Sequence, residues 1–498
     1  MASAAAPSAW TPFLGATVTS AGVVFRVWAP LAQRVAVALH TPRRQHLPLR
    51  QVAEGVWEVQ VPACPPGTRY TYWLDDRGPF PDPYSRSQPL GVHGPSEVVD
   101  PAAYHWHDQD WPGLEIRGLV LYECHVGTAT PAGTCEALID QLPRLRALGI
   151  GALELMPVAA FPGRWNWGYD GVYPFAVSAN YGGPLALKRL VDAAHQCGLG
   201  VILDVVYNHL GPEGNYLGQF SPYYFSTRYR TPWGPALNFD GPHCAWVRQL
   251  VLDNACFWLR EYHLDGLRLD AVSYMYDRTQ PHILQELVQR ARAAVPRPVV
   301  LIAETSDNDV RYVLPPAAGG YGFDAVWADD FAWALHRYLT GEGQGRYQDY
   351  AGTLAEVART LRQGFLYEGQ WSSYLGRPRG TPARQQPAWQ FQYCLQHHDH
   401  VGNRPLGERL HHRLDLARYR VASALLLLLP YTPLLFMGQE FVASSPFLYF
   451  TDHPPAPRAP RGRCAPARAG SGGHSRGPGT ASRSPGRGNL PALQAAAS

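Results

Sequence analysis

Seven polar side chains stand in or at the ends of apolar runs: Asp204 and His209 in "VILDVVYNH", Arg268 and Asp270 in "DGLRLDAV", Glu304 in "PVVLIAET", and His398 and Asp399 in "YCLQHHD". A lone carboxylate in a buried run costs several kcal/mol without a partner, so a structural Asp tied to a neighbouring Arg would account for one of them. Four carboxylates with one Arg and two His on neighbouring runs are hard to explain as packing, and they point to chemistry. The residue types suit glycoside hydrolysis, in which one carboxylate attacks the anomeric carbon and a second carboxyl group protonates the leaving oxygen. A separation of about 5–5.5 Å between the two gives retention of configuration. Asp270, beside Arg268, suits the nucleophile. Glu304 ends an apolar run, where desolvation keeps a carboxyl group protonated for general-acid work. Asp399 can stabilise positive charge on the sugar ring, His209 and His398 can donate to its hydroxyls, and Tyr169 in "WNWGYDGVYP" can stack beneath it. Core packing is the alternative for His209, His398 and Tyr169.

These residues need a frame that brings distant segments together. Eight strand-like runs occupy residues 119–127, 151–158, 201–209, 265–272, 298–305, 323–330, 393–399 and 432–440, with helical patterns such as "LALKRLVDAAHQCG" and "AWVRQLVLDNACFWLREY" between most of them. Runs rich in Val, Ile and Leu read as strands covered on both faces. Eight of them alternating with helices predict an α/β fold, a (β/α)8 TIM barrel whose polar residues converge at the carboxyl ends of the strands. An open doubly wound sheet is the alternative, and no Gly-rich phosphate fingerprint or P-loop supports it. Alternation along a strand places Arg268 and Asp270 on one face, as it does Asp204 and Asn208. Ahead of the barrel, residues 1–105 hold short strand-like runs such as "AGVVFRVWAP" and "GTRYTYWLDD" punctuated by turns, which predict an N-terminal β-sandwich. The barrel should then span 106–453.

The 498 residues carry a formal net charge of +3 and no basic stripe, which argues against nucleic acid as a partner. "MASAAAPSAW" is not a secretory leader, and "ALLLLLP" is too short to span a bilayer, so a soluble cytoplasmic protein without a membrane partner is expected. The eight cysteines form no CxxC pair, which predicts reduced thiols and no metal site. With 15 Trp and 27 Tyr, many beside Gly, Pro, Asp and Asn, the chain has ring faces that suit sugars.

The motifs then resemble those of the alpha-amylase family of glycoside hydrolases. "DVVYNH", "GLRLDAV", "ETSD" and "HHD" fall in order on that family's four short motifs, and the resemblance covers residues 20–453. It implies Asp270 as nucleophile, Glu304 as general acid/base and Asp399 as transition-state stabiliser, with Tyr169, His209, Arg268 and His398 binding substrate. It also implies that Asp204 partners Arg268. No cofactor follows from it; a Ca²⁺ near Asn208 would follow by analogy, but no cluster of carboxylates stands there. Within the family, "YNHLGPEGNYL", "PWGPALNFDGP", "YEGQ", "VGNRPLGERL" and "TPLLFMGQEF" look most like the members that cleave the α-1,4 bond next to the terminal trehalose of a malto-oligosyltrehalose and release trehalose. Such members pair functionally with a malto-oligosyltrehalose synthase. The sandwich, with "GVVFRVWAP", resembles a carbohydrate-binding-like domain shared with glycogen branching and debranching enzymes, which are the alternative activity. An inactive glucan-binding homologue is a third possibility, opposed by the presence of all three catalytic carboxylates. One departure stands out: the family pattern is Asn-His-Asp, and this chain reads His397, His398, Asp399.

From Pro454 the chain becomes a Gly, Pro, Arg and Ser mixture with no acidic residue after Asp452. Such a composition predicts a disordered tail over 454–498. The C-terminal β domain that the resemblance implies is not legible there. Out-of-frame sequence, which would leave the flank of the last barrel strand uncovered, is the expectation, with a genuine linker as the alternative.

Overall fold

A computed structural model of the chain describes residues 10–453; the tail expected over 454–498 lies outside them. The eight apolar runs form a closed barrel of parallel strands: β1 (Leu121–Cys124), β2 (Ala152–Leu155), β3 (Gly200–Val205), β4 (Gly266–Leu269), β5 (Val300–Ala303), β6 (Ala325–Trp327), β7 (Phe391–Cys394) and β8 (Thr432–Phe436). β8 pairs with both β7 and β1, which closes the ring. Every residue of these strands is buried, as expected when helices cover the outside and side chains fill the inside. The helix Cys244–Glu261 is one such cover, burying Val247, Leu250, Val251, Phe257 and Trp258. Each such side chain contributes about 1.5–3 kcal/mol. Gly266 opens β4 where a Cβ would meet the Val300 carbonyl at 2.2 Å. Only glycine lets β4 and β5 pair this closely, just below the residues of the site.

The seventh run ends earlier than its sequence suggests. Its strand is Phe391–Cys394, and His398 and Asp399 begin a short helix, His398–Gly402. The reason is a cap. His397 takes an extended conformation, and its ring Nδ1 accepts the Asp399 amide at 3.2 Å, so the chain turns into a helix instead of continuing the ladder. Asn208 and His209 likewise lie past Val205, the last residue of β3, so strand alternation does not govern them.

The interior of the barrel is partly polar. Glu123 on β1, Glu154 on β2, Arg268 on β4 and Gln392 on β7 are all buried, and Gln392 Nε2 donates across the barrel to Glu154 at 3.2 Å. Burial, and the charge of Glu123, push Glu154 up to about 8, so it sits there neutral near pH 7.

Two antiparallel sheets form the N-terminal sandwich. One contains Gly15–Thr19, Gly22–Trp28, Val56–Val61 and Arg50–Ala53; the other contains Gln45–Pro48, Val35–Leu39, Arg69–Leu74 and Arg77–Phe80, with Ser96–Glu97 beside it. The sandwich docks on the barrel through aromatic pairs, Trp28 with Tyr224 at 5.1 Å and Tyr84 with Phe175 at 4.7 Å. Beside them, Arg86 pairs with Glu261 at 3.2 Å, and Lys188 lies 3.5 Å from the same carboxylate. Lys188 is the only lysine in the chain, 1 % exposed, and its ammonium faces the ring of Tyr262.

The last described residues return to the mouth. Phe447 stacks on Trp167 at 5.5 Å, the Trp167 indole donates to the Leu448 carbonyl at 3.1 Å, and Asp452 accepts the amides of Arg164 and Trp165. This pins the loop that carries Tyr169. The helix Leu416–Leu428 before β8 buries only Tyr419, Ala422 and Leu426; among the described residues, Val421 and Leu428 stay 70 % and 85 % exposed.

Candidate active site

Arg268 is the hub of the site. Strand register sets it directly opposite Asp204, and its Nη1 donates to Asp204 Oδ2 at 2.7 Å and to Asp270 Oδ1 at 3.0 Å. Its Nη2 lies 3.6 Å from Glu304 Oε2. The guanidinium is buried over the face of Trp327, 4.2 Å from the ring centroid. A charge so placed is tolerable only with partners, and here one cation fixes three carboxyl groups from three strands. Burial lifts Asp204 to about 6, with Arg268 opposing the rise and Asp270 adding to it.

Asp270 follows the last residue of β4. Its second oxygen accepts Asn208 Nδ2 at 3.0 Å, and the same amide donates to its carbonyl at 2.9 Å. Both oxygens are thereby oriented. The next residue, Ala271, has φ 43° and ψ 51°, a left-handed conformation that costs an alanine about 1–2 kcal/mol. That turn aims the Ala271 amide at Glu304 Oε2, 2.6 Å away. Burial pushes Glu304 up to about 8; Arg268 pulls against this and the Asp270 charge adds to it. Near pH 7 Glu304 is mostly protonated, and its Oε1, which has no partner among the described residues, is the oxygen left to carry the proton.

Asp399 is held differently. Burial alone would raise it, yet Arg346 and the surrounding histidines hold it down to about 2. Both terminal nitrogens of Arg346 donate to its Oδ2 at 3.3 Å, and Asn403 donates to its Oδ1. His398 bridges the barrel floor and the mouth. Its Nδ1 pairs with Glu123, which also accepts the His398 amide at 3.0 Å, and its Nε2 lies 2.9 Å from the Tyr169 hydroxyl. That hydroxyl donates to Asp204 at 2.7 Å, so it accepts from His398. Both ring nitrogens then carry protons. Burial opposes the charge, but Glu123 overcomes it and raises the pKa of His398.

The structure thus brings all seven motif residues and Tyr169 to one mouth. His209 pairs with Asn208 and lies under the exposed ring of Trp233, 5.1 Å between centroids. Tyr169 stacks on His398 at 5.2 Å. The hydroxyl of Tyr169 and both nitrogens of His398 are engaged within the protein, a constraint on the sugar contacts that sequence reasoning expected of them. Four residues in contact with the candidate site escaped that reasoning: Glu123, Arg346, Asn403 and Trp327. Glu123 had a signal, a lone carboxylate in the apolar run "LVLYECHVG". Arg346 lies in "GEGQGRYQD", where nothing marks it.

Comparison with known proteins matches residues 13–101 to the model for carbohydrate-binding module 48, the isoamylase N-terminal domain, and residues 80–224 to the alpha amylase catalytic domain. A malto-oligosyltrehalose trehalohydrolase of Deinococcus radiodurans is 46 % identical over 446 residues, covering 88 % of this chain and 72 % of its own. One of Saccharolobus solfataricus is 43 % identical over 86 % of this chain and 75 % of its own. The chain belongs to the malto-oligosyltrehalose trehalohydrolase family. Its fold agrees: the crystal structure of a putative alpha amylase from Salmonella typhimurium superposes with a TM-score of 0.85 at 41 % identity, covering 89 % of this chain and 76 % of that one. His397 stands where the alpha-amylase resemblance implies an asparagine. An asparagine there would cap the helix; His397 does so through Nδ1 and places Nε2 3.2 Å from Asp329.

Proposed function

We propose that this chain is a retaining glycoside hydrolase that cleaves the α-1,4-glucosidic bond next to the terminal trehalose of a malto-oligosyltrehalose and releases trehalose. Asp270 attacks the anomeric carbon while Glu304 Oε1 protonates the leaving oxygen; a water then displaces the enzyme carboxylate after giving its proton to Glu304. Asp399, held as a carboxylate by Arg346, offsets positive charge on the ring. The single observation that carries the reading is the Arg268 hub: one guanidinium reaches the nucleophile and a general acid that burial keeps protonated, and the relatives named above supply the substrate.

The N-terminal module is read as a glucan-binding surface. A synthase that builds the trehalose end of the chain would supply substrate. No helix among the described residues is long and apolar enough to cross a membrane, and the seven described cysteines are free thiols, which suits a reducing cytoplasm.

The test is product identification. Incubation with maltotriosyltrehalose should yield trehalose, with the anomeric proton of the new glucan end first appearing in the α form by NMR. New α-1,6 branches on amylopectin, or faster attack on existing branches, would replace this reading with that of a branching or debranching enzyme. Binding of both glucans without products would make it an inactive homologue.

A further inference from the structure

On either side of Asp399 in the chain lies a group of side chains that the hydrolytic steps do not use. Cys394 ends β7, and His397 and His400 follow at intervals of three, a Cys-x2-His-x2-His spacing that one turn of chain can close around a metal. The cysteine sulfur and one nitrogen from each ring lie within 4.8 Å of one another. The two rings overlie at 3.7 Å between centroids. From the loop after β6, the carboxylate of Asp329 faces both, 3.2 Å from His397 Nε2 and 3.8 Å from His400 Nε2. Capping explains one imidazole. It does not explain a second imidazole laid on the first with a thiol and a carboxylate beside them.

The donor set, one thiol, two imidazoles and one carboxylate, selects zinc-class cations over calcium or magnesium. Tetrahedral zinc with Zn–N of about 2.0–2.1 Å and Zn–S of about 2.3 Å spaces its ligands roughly 3.3–3.6 Å apart, so the ends of Cys394, His397 and His400 need to close by up to about 1.5 Å, with Asp329 approaching from the side of the two rings. A pocket lined by His336, Tyr347, His400 and Arg404 gives access from the His400 side. Occupancy has two local consequences. His400 Nε2 must release the Trp333 indole N–H that it accepts at 2.7 Å. His397 now accepts the Asp399 amide at Nδ1, so its proton is on Nε2. A cation at Nε2 drives that proton to Nδ1, where it opposes the Asp399 amide N–H and breaks the cap, while the Cys394 thiol proton leaves to solvent.

We propose that Cys394, His397, His400 and Asp329 form a site for a zinc-class divalent cation, and that filling it slows hydrolysis by displacing Asp399. The binding half stands on the geometry alone; the inhibitory half rests on the function proposed above, since a displacement of about 1 Å at a catalytic group can cost about a hundredfold in rate.

The test titrates the chelator-treated protein with Co²⁺, then Zn²⁺. One Co²⁺ per chain should bind with a thiolate-to-metal charge-transfer band that Zn²⁺ abolishes. Cys394→Ser, outside the hydrolytic machinery, and His400→Gln should each lose the band; two variants guard against one failing to fold. Zn²⁺ should lower maltotriosyltrehalose hydrolysis at least tenfold, reversibly with chelator, and Cys394→Ser should require at least tenfold more Zn²⁺. A band that survives Cys394→Ser, or equal Zn²⁺ affinity in parent and variants, overturns the site. Stoichiometric binding with undiminished turnover overturns the link to Asp399.

Discussion

Asp270 and Asp399 face the same barrel mouth, but the barrel holds one and its loops hold the other. Asp270 follows β4, and its oxygens are fixed by Arg268 from that strand and by Asn208 just beyond β3. Asp399 sits in the first turn of a five-residue helix, held by Asn403 four residues on and by Arg346, 53 residues earlier in a 3-10 turn. The proposed nucleophile and its acid therefore inherit the rigidity of a packed core, whereas the proposed stabiliser depends on loops that can shift without unfolding anything. The two should fail in different ways.

The largest effect should come from the core-held pair. Asp270→Asn should abolish measurable turnover, and Glu304→Gln should lower it by about 10²–10⁴-fold, with glucan affinity by calorimetry within a few fold of the parent. Parallel losses of affinity and turnover would remove these residues from the chemistry. The pH profile separates the pair from Asp399. Because Glu304 must be protonated to act and titrates at about 8, kcat/KM should fall as pH rises through about 8.

Arg346→Leu comes next, with a loss of roughly 10–100-fold in kcat. Losing the cation lets burial raise the pKa of Asp399 from about 2, so the acid limb of the profile should move to higher pH while the alkaline limb stays in place. Movement of both limbs would show that Arg346 also serves the core-held pair.

Glu123→Gln strikes the link between floor and mouth. Removing one member of this buried pair should cost about 3–5 kcal/mol. The folded pKa of His398 is raised, so its contribution is full below its unfolded value and is lost as pH rises through the folded one. That of Glu123 is lowered, so its contribution is present above its unfolded value and lost as pH falls. The gap in Tm between parent and variant should therefore be widest between the ordinary Glu and His ranges and narrow on either side. A constant gap would mean that the pair carries no charge.

The smallest change is Ala271→Gly. Relief of the left-handed strain and the extra entropy of unfolded glycine nearly cancel, so stability should stay within about 0.5 kcal/mol by chemical denaturation. A larger loss would show that the Ala271 methyl group matters more than its backbone.

The barrel was legible because its strands are short Val, Ile and Leu runs buried on both faces, a pattern that residue type alone carries. The Arg268 hub was legible for a related reason: a charge inside such a run has to be paired, and the strand register supplies Asp204. Glu123 and Glu154 carried the same signal and were passed over, since no motif drew attention to them. The boundary of β7 was not legible because it depends on His397 acting as a cap, a hydrogen bond that forms only after the chain has turned. Arg346 and Asn403 were hidden because loops position them by tertiary contact, leaving no periodicity in the sequence.

The buried ammonium of Lys188 turns the chain into its own reporter of opening. With no other lysine in the chain, Lys188 offers an amine-selective acylating reagent its single side-chain target beside the α-amine. A second adduct, located at Lys188 by mass spectrometry, forms only when the seam between sandwich and barrel parts. The rate at which that adduct accumulates, followed in dilute denaturant with and without glucan, would time the breathing of this seam in unmodified protein.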